Sequence, residues 1–301
     1  MKKKLFFIVC LCFSVSVFAQ KVGVLTGPSG LPCSFLMEEK YCEFEVFPSA
    51  QNLVPKLLKE EIDFAFLPPN LAAKIYNSSK KIKLLGITGN GNLYLISKDK
   101  SIDSLKDLNG KKVSSSGMNA TPEYIMKSIF KKLNIDCELD FSIPNPQIPV
   151  MFNAGKIETA IIPEPFVTSC ILQNCEISSI IDIQKEYEAI FHRDFPMTVL
   201  VVTQSYLENH QKQVELFIKE YKKAQKKALD SPEECGILAE KHNLGIKSLV
   251  AEKAIPNCSY TWKDSKNAKS EIEELLTLFM SFDSSSIGGK LPDDNFYYKV
   301  N

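Results

Sequence analysis

The chain has 301 residues, 45% of them hydrophobic, with 36 basic and 36 acidic side chains. A balanced and unpatterned charge excludes the basic stripe that nucleic acid or an anionic membrane surface demands of a partner. The length exceeds the roughly 100–200 residues of one ordinary domain, so two lobes or one large domain are expected.

Lys2, Lys3 and Lys4 precede the apolar run LFFIVCLCFSVSV, and Val17-Phe18-Ala19 supplies the small residues that a signal peptidase reads. Residues 1–19 therefore read as a signal peptide, with a mature chain starting near Gln20 and exported to the periplasm. The apolar run falls short of the roughly 18 residues that a spanning helix needs. Cys10 and Cys12 lack the usual small-residue lipobox, which makes a lipid anchor the second reading. Seven of the nine cysteines follow the signal peptide. Cys170 and Cys175 are close enough in sequence to pair, and most of the others read as small buried apolar residues. Their spacing fits no zinc pattern, the chain has only three histidines, and no metal or cofactor is expected.

In chain order, VGVL reads as a strand, SFLMEE as a helix and CEFEVF as an alternating strand; NLVPKLLKEE has helical spacing despite Pro55. IDFAFLP (strand), NLAAKIYNSS (helix) and KIKLLGIT (strand) continue the rhythm, and LYLIS at 93–97 is strongly strand-like. A second set follows: KKVSSS, the helix TPEYIMKSIFKKL, CELDFSI, a helix around PVMFNAG, and ETAIIP. The strand TVLVVT at 198–203 then leads into polar helices, SYLENHQKQVELFIKEYKKAQKKAL and the stretch 266–282. Strands alternating with helices imply parallel βαβ units and an α/β class. The arrangement predicts one lobe from 20–97 plus 203–301 and an inserted lobe from 98–202, joined by two hinge crossings. The terminal SSSIGGKLPDDNFYY is turn-rich, and Phe296, Tyr297 and Tyr298 are expected to pack back onto the body.

The stretch TGPSGLP at 26–32 is glycine-rich but lacks the spacing and lysine of a phosphate-binding loop, and no serine lies in G-x-S-x-G. His192 is the only histidine near a crossing. Glu164, between prolines at the end of a strand, is a candidate binding carboxylate, its bland alternative being a turn residue or helix cap. Three strand-to-helix turns stand out: TGPSG; LPPNLAAK, with Asn70 ahead of its helix; and SSSGMNATPEY, with Thr121 as N-cap, Pro122 at the first helical position and Glu123 in the first turn. Turns of this kind aim backbone N–H groups at the crevice beyond the strand ends. The first two fall in one expected lobe and the third in the other, the geometry of a cleft that closes on a small molecule. Tyr94 and Phe166 are available to cover a ring, or else belong to the core.

The succession GPSG, FLPPNLAAKIYN, DLNGKKV, SGMNATPEYIMKSI, FNAGKIETAIIPEPFVT, VLVVTQSYL, AIPNC and SIGGKLPDDNFYY resembles extracytoplasmic substrate-binding proteins of ABC importers, of the NitT/TauT-like kind. The likeness runs in order through nearly the whole mature chain. It implies a two-lobe periplasmic-binding-protein type II fold and a non-enzymatic receptor. Such a receptor holds a small polar, anionic or heterocyclic molecule between its lobes and delivers it to permease and ATPase subunits. A monomer is expected. The matching pocket positions are Gly27, Pro28, Ser29, Gly30, Asn70, Gly117, Asn119, Ala120, Thr121 and Glu164. Relatives take sulfonates, nitrate, pyrimidine thiamin precursors or flavin-related compounds. Leu31-Pro32-Cys33 departs from the family's small residues after GPSG, which puts the shape of the crevice there in question. The alternative is a cleft enzyme of the same fold, of the pyrimidine or menaquinone biosynthesis type, in which Glu164 acts as acid or base.

Overall fold

The structure, a computed structural model, describes residues 20–173 and 176–299. The expected signal peptide and Cys175 lie outside the described residues. The chain opens with β1 Lys21–Leu25, α1 Cys33–Glu38, β2 Glu43–Phe47, α2 Ala50–Leu58, β3 Phe64–Leu67, α3 Pro69–Ser79 and β4 Ile82–Asn90. It then builds a second unit from β5 Leu93–Ser97, β6 Lys112–Ser115, α4 Thr121–Leu133, β7 Glu138–Asp140, α5 Ile148–Asn153, β8 Thr159–Pro163, α6 Phe166–Leu172, β9 Ser179–Asp182 and α7 Ile183–Phe191. It returns through β10 Pro196–Thr203, α8 Gln204–Asn209, α9 Gln211–Asp230, α10 Pro232–Lys241, α11 Ser248–Ala254, β11 Tyr260–Asp264 and α12 Ser265–Met280.

Two sheets result, one ordered β11-β4-β10-β3-β1-β2 and the other β7-β6-β8-β5-β9. β3, FAFL, is buried at all four positions because helices cover both faces of a central strand. One cover is α9, whose Val214, Phe217, Tyr221, Ala224 and Ala228 recur at helical spacing and are buried. Phe217 meets Phe64 with ring centroids 4.4 Å apart, and Tyr221 meets Phe66 at 4.9 Å. Each such buried ring contributes roughly 1.5–3 kcal/mol of transfer free energy. In the second unit, α4 places Tyr124, Ile125, Ile129 and Phe130 inward and ends at Asn134 in the left-handed conformation, a common helix stop.

The α/β, two-sheet architecture agrees with the reading of the sequence, with two corrections. The sheets are mixed rather than parallel: β10 runs antiparallel to both β3 and β4, and β5 runs antiparallel to both β8 and β9. The crossings also come earlier than the bounds 20–97 plus 203–301 and 98–202 imply. β5 pairs in the second sheet and β10 in the first, so the chain crosses around Gly91–Asn92 and again just before Pro196. A central apolar strand reads the same in either sheet; the informative residues were the turn formers Gly89-Asn90-Gly91-Asn92 and Asp194-Phe195-Pro196 ahead of the strands. β9, α7, α10, α11 and β11 also escaped the periodicity, and the long polar helix breaks at His210 into α8 and α9.

The C-terminal segment packs back as expected. Phe296, Tyr297 and Tyr298 are buried, Tyr298 N–H donates to Leu84 O at 3.0 Å, and the Asp293 carboxylate accepts from the Tyr76 hydroxyl and Lys80.

Candidate functional site

At the strand ends where the chain crosses between sheets lies a cavity of about 250 Å³. The first unit supplies Leu25 to Ser29, Phe66 to Pro68, Thr88 to Asn90, Met197, Thr198, Tyr221, Cys258 and Tyr260 to its wall. The second unit contributes Asn92, Pro163, Glu164 and Phe166. A larger concavity of about 340 Å³ on the outer surface is bounded by Lys21, Glu60, Glu61, Asp63 and His210, a charged rim open to solvent.

The turn after β1 forms the floor. Gly27 adopts φ 118°, ψ −166°, a conformation other residues rarely reach, and a Cβ there would meet nothing within 4 Å. Its chain continues into a short 3-10 turn at Pro28–Gly30, and the half-buried Tyr260 donates from its hydroxyl to Pro28 O at 2.6 Å. Gly27, Pro28 and Ser29 therefore face the cavity as expected. Gly30 does not: it packs against the Leu25 carbonyl and Leu244. Leu31 and Cys33 are fully buried in the core beneath α9, with the Cys235 thiol donating to Leu31 O at 3.3 Å. The departure at Leu31-Pro32-Cys33 thus shapes the core, not the crevice.

Glu164 is almost fully buried and follows β8 at a cis peptide bond to Pro165. Its carboxylate accepts from Thr168 N–H at 3.1 Å and the Thr168 hydroxyl at 3.0 Å, so it caps the first turn of α6. Asn257 Nδ2, from the other unit, donates to it at 3.4 Å. Burial raises the Glu164 pKa, and these donors only partly offset that. Glu164 is thus the helix cap weighed as its bland alternative, and it also lines the cavity. Phe166 lines it too, whereas Tyr94 stands behind, donating to Asn257 O at 3.3 Å.

The third turn is arranged differently from the reading of the sequence. The N-cap of α4 is Ala120, which makes no side-chain cap, and Thr121 is the first helical residue. Glu123 does the capping, accepting from Asn119 N–H at 2.6 Å while it pairs with Lys127. The Thr121 hydroxyl is buried without a partner. Asn70 lies within α3, not ahead of it, and its Nδ2 donates across to Asn119 O at 3.4 Å. Asn70 and Asn119 therefore meet across the two units, and neither they nor Gly117, Ala120 and Thr121 are on the cavity wall. His192 ends α7 in the left-handed conformation, exposed, and is not on the wall either.

Sequence reasoning missed Thr88, Asn90, Asn92, Met197, Thr198, Cys258 and Tyr260. The signal for the first three was present in Gly89-Asn90-Gly91-Asn92, whose residues flank a crossing. Cys258 and Tyr260 come from a part of the chain distant in sequence, where AIPNC, ending in Cys258, entered only through the family resemblance. Burial pushes the Cys258 thiol well up, and its S–H donates to Ala254 O at 3.2 Å. Among the described residues no group of three or more His, Cys, Asp and Glu side chains is placed to hold a metal ion.

Residues 34–240, more than half of the chain, match the model of the NMT1-like family. The chain belongs to the NMT1-like family. No curated protein matches it in sequence. Among solved structures it is similar to an ABC transporter protein from Parabacteroides distasonis, with 25% identity, a TM-score of 0.79 and coverage of 94% of this chain and 99% of that one. The periplasmic aliphatic sulphonate binding protein SsuA of Escherichia coli shares the fold at 14% identity and TM-score 0.73, over 94% of this chain and 92% of its own. The alkanesulfonate-binding protein SsuA of Xanthomonas axonopodis pv. citri, bound to MOPS, does so at 14% identity and TM-score 0.64, over 91% and 94%. The two-lobe periplasmic-binding architecture is thereby shown, and in this NMT1-like chain the cavity lies between the lobes.

Proposed function

We propose that this protein is the extracytoplasmic solute-binding component of an ABC import system, which captures one small molecule between its lobes and hands it to a membrane permease. The observation that carries the reading is the cavity of about 250 Å³ walled by residues from both sheets. A ligand that touches both walls binds the closed form better than the open one, and that difference is what a receptor reports. The volume lies just under the roughly 300–1,000 Å³ of common ligand sites, which fits a cargo of one or two rings.

Gly27, Pro28, Ser29 and Glu164 are the proposed contacts carried over from the sequence. Thr88, Asn90, Asn92 and Thr198 add polar groups, and Phe66, Phe166, Tyr221 and Tyr260 add aromatic surface. Among the described residues the wall holds a carboxylate and no lysine, arginine or histidine, so it is poorly matched to a sulfonate or nitrate. Two groups argue against the enzyme alternative. Glu164 is committed to capping α6, and the Cys258 thiol is held protonated, which makes it a poor nucleophile.

Native mass spectrometry of the protein purified from its host is expected to show one small molecule bound per chain. Adding that compound back to refolded protein raises the melting temperature, and Ser29→Trp, which fills the cavity, abolishes the rise. A rise that survives Ser29→Trp, or chemical turnover of the compound, overturns the reading.

A further inference from the structure

Asn90 ends β4 at the first crossing, and its Nδ2 donates to Asp194 Oδ2 at 2.8 Å beside the second crossing. A carboxylate only accepts, so the amide orientation is settled by chemistry: the nitrogen faces Asp194 and the oxygen faces away. That oxygen is buried and has no protein partner, on a residue that lines the cavity.

Asp194 is itself held. Gln184, at the start of α7, donates from Nε2 to Asp194 Oδ1 at 2.8 Å. Its Oε1 accepts from Gly91 N–H at 3.0 Å and Phe195 N–H at 3.4 Å, which fixes this amide in turn. One hydrogen-bonded chain therefore ties both crossings together and ends in a buried carbonyl oxygen of a residue that lines the cavity.

A second buried acceptor without a partner, Asn92 Oδ1, belongs to a residue of the same wall. Buried acceptors left unpaired are costly, and nothing cationic on the wall satisfies these. What satisfies them is a ligand edge that carries N–H groups.

We propose that Asn90 selects a planar cargo with an N–H donor edge, and that Asp194 and Gln184 act through it as positioning residues that aim its oxygen. This rests on the solute-receptor reading and adds the cargo's chemical class: a neutral or cationic amino-, amide- or amidine-bearing ring. It also places a ligand contact on the hinge itself, so the acceptor that seats the ligand bears directly on the element that must move.

The test uses full-length protein stripped of ligand by unfolding and refolding, titrated calorimetrically with benzamidine and with benzoate. The two are planar and nearly isosteric, one offering a donor edge and the other an acceptor edge. Wild type is expected to prefer benzamidine by at least about tenfold, the discrimination one buried donor–acceptor pair carries. Asp194→Asn lets the Asn90 amide turn over, and the preference is expected to fall to within about threefold. Asn90→Ala is expected to erase it as well, and serves should Asp194→Asn fail to fold. Asp182→Ala removes a cap of the same helix, seen in the bonds from Gln184 N–H and Lys185 N–H, and is expected to lower stability with the preference intact. A preference unchanged in folded Asp194→Asn and Asn90→Ala overturns the proposal. So does a preference for benzoate, or binding of neither probe at roughly 10 mM, the weak end of measurable affinity. Benzamidine binding that persists in Ser29→Trp overturns the cavity reading itself, a different failure.

Discussion

The two glycine-bearing turns after β1 and β6 read alike in sequence and are built for opposite purposes. TGPSG leaves its glycine open: nothing lies within 4 Å of where a Gly27 side chain would start, and the space beyond is the cavity. SGMNATP closes on itself. Gly117 packs its φ of 76° against the Pro122 ring, Asn119 N–H is taken by Glu123, and Asn119 O is taken by Asn70. The Asn119 amide of this turn is spent within it, and the Thr121 hydroxyl is its buried, unpaired donor. The first turn therefore lines the cavity, and the second meets the other unit through the Asn70–Asn119 hydrogen bond.

The largest effect that would break this contrast comes from alanine at each glycine. A Cβ on Gly117 would sit 2.7 Å from Pro122 Cγ in a left-handed conformation, so Gly117→Ala is expected to cost about 3 kcal/mol, strain and overpacking together. Gly27→Ala meets only the conformational penalty, about 1–2 kcal/mol. Urea unfolding reads both. Binding of benzamidine is expected to weaken in Gly27→Ala and to hold in Gly117→Ala; the reverse pattern would return the site to the second turn.

A smaller effect tests the far wall through pH. The Glu164 pKa is raised in the folded protein, chiefly by burial. The group's contribution is therefore fully present below its unfolded pKa and is lost as pH rises through the folded value. Apo stability is expected to decline over that window in wild type and to be flatter in Glu164→Gln, which keeps an oxygen for Thr168. Denaturant titrations between about pH 4 and pH 8 measure the difference. A wild-type slope equal to that of the variant would show that the carboxylate is solvated, and would remove it from the wall.

Most of the fold was legible because alternating apolar strands and amphipathic helices carry their period in the chain. The helix Thr121–Leu133 matches its predicted stretch residue for residue. What failed was assignment of a strand to its sheet, since LYLIS and TVLVVT are apolar in either. The site was half legible for a related reason. Gly27 to Ser29 and Glu164 announce themselves by local turn chemistry. Tyr260 and Cys258 reach the cavity only because β11 pairs with β4, a contact more than 160 residues apart in the chain. Thr121 misled because a threonine before proline fits the capping pattern, while the neighbouring Glu123 was free to do the same work from inside the helix.

Thr121 supplies the smallest test and the most pointed. Its hydroxyl is buried with no partner, and valine has nearly the same shape without the polar group. Were the hydroxyl a ligand contact, Thr121→Val would weaken binding; were it bonded in the apo protein, the change would destabilise. In the arrangement described here neither holds. Thr121→Val is expected to stabilise the apo protein by roughly 0.5–1 kcal/mol, the cost of burying an unpaired hydroxyl, and to leave benzamidine affinity unchanged. A gain in stability with no change in affinity would mark the second turn as packing. A gain accompanied by lost affinity would mean that closure brings the turn onto the cargo and that the two turns share the site after all.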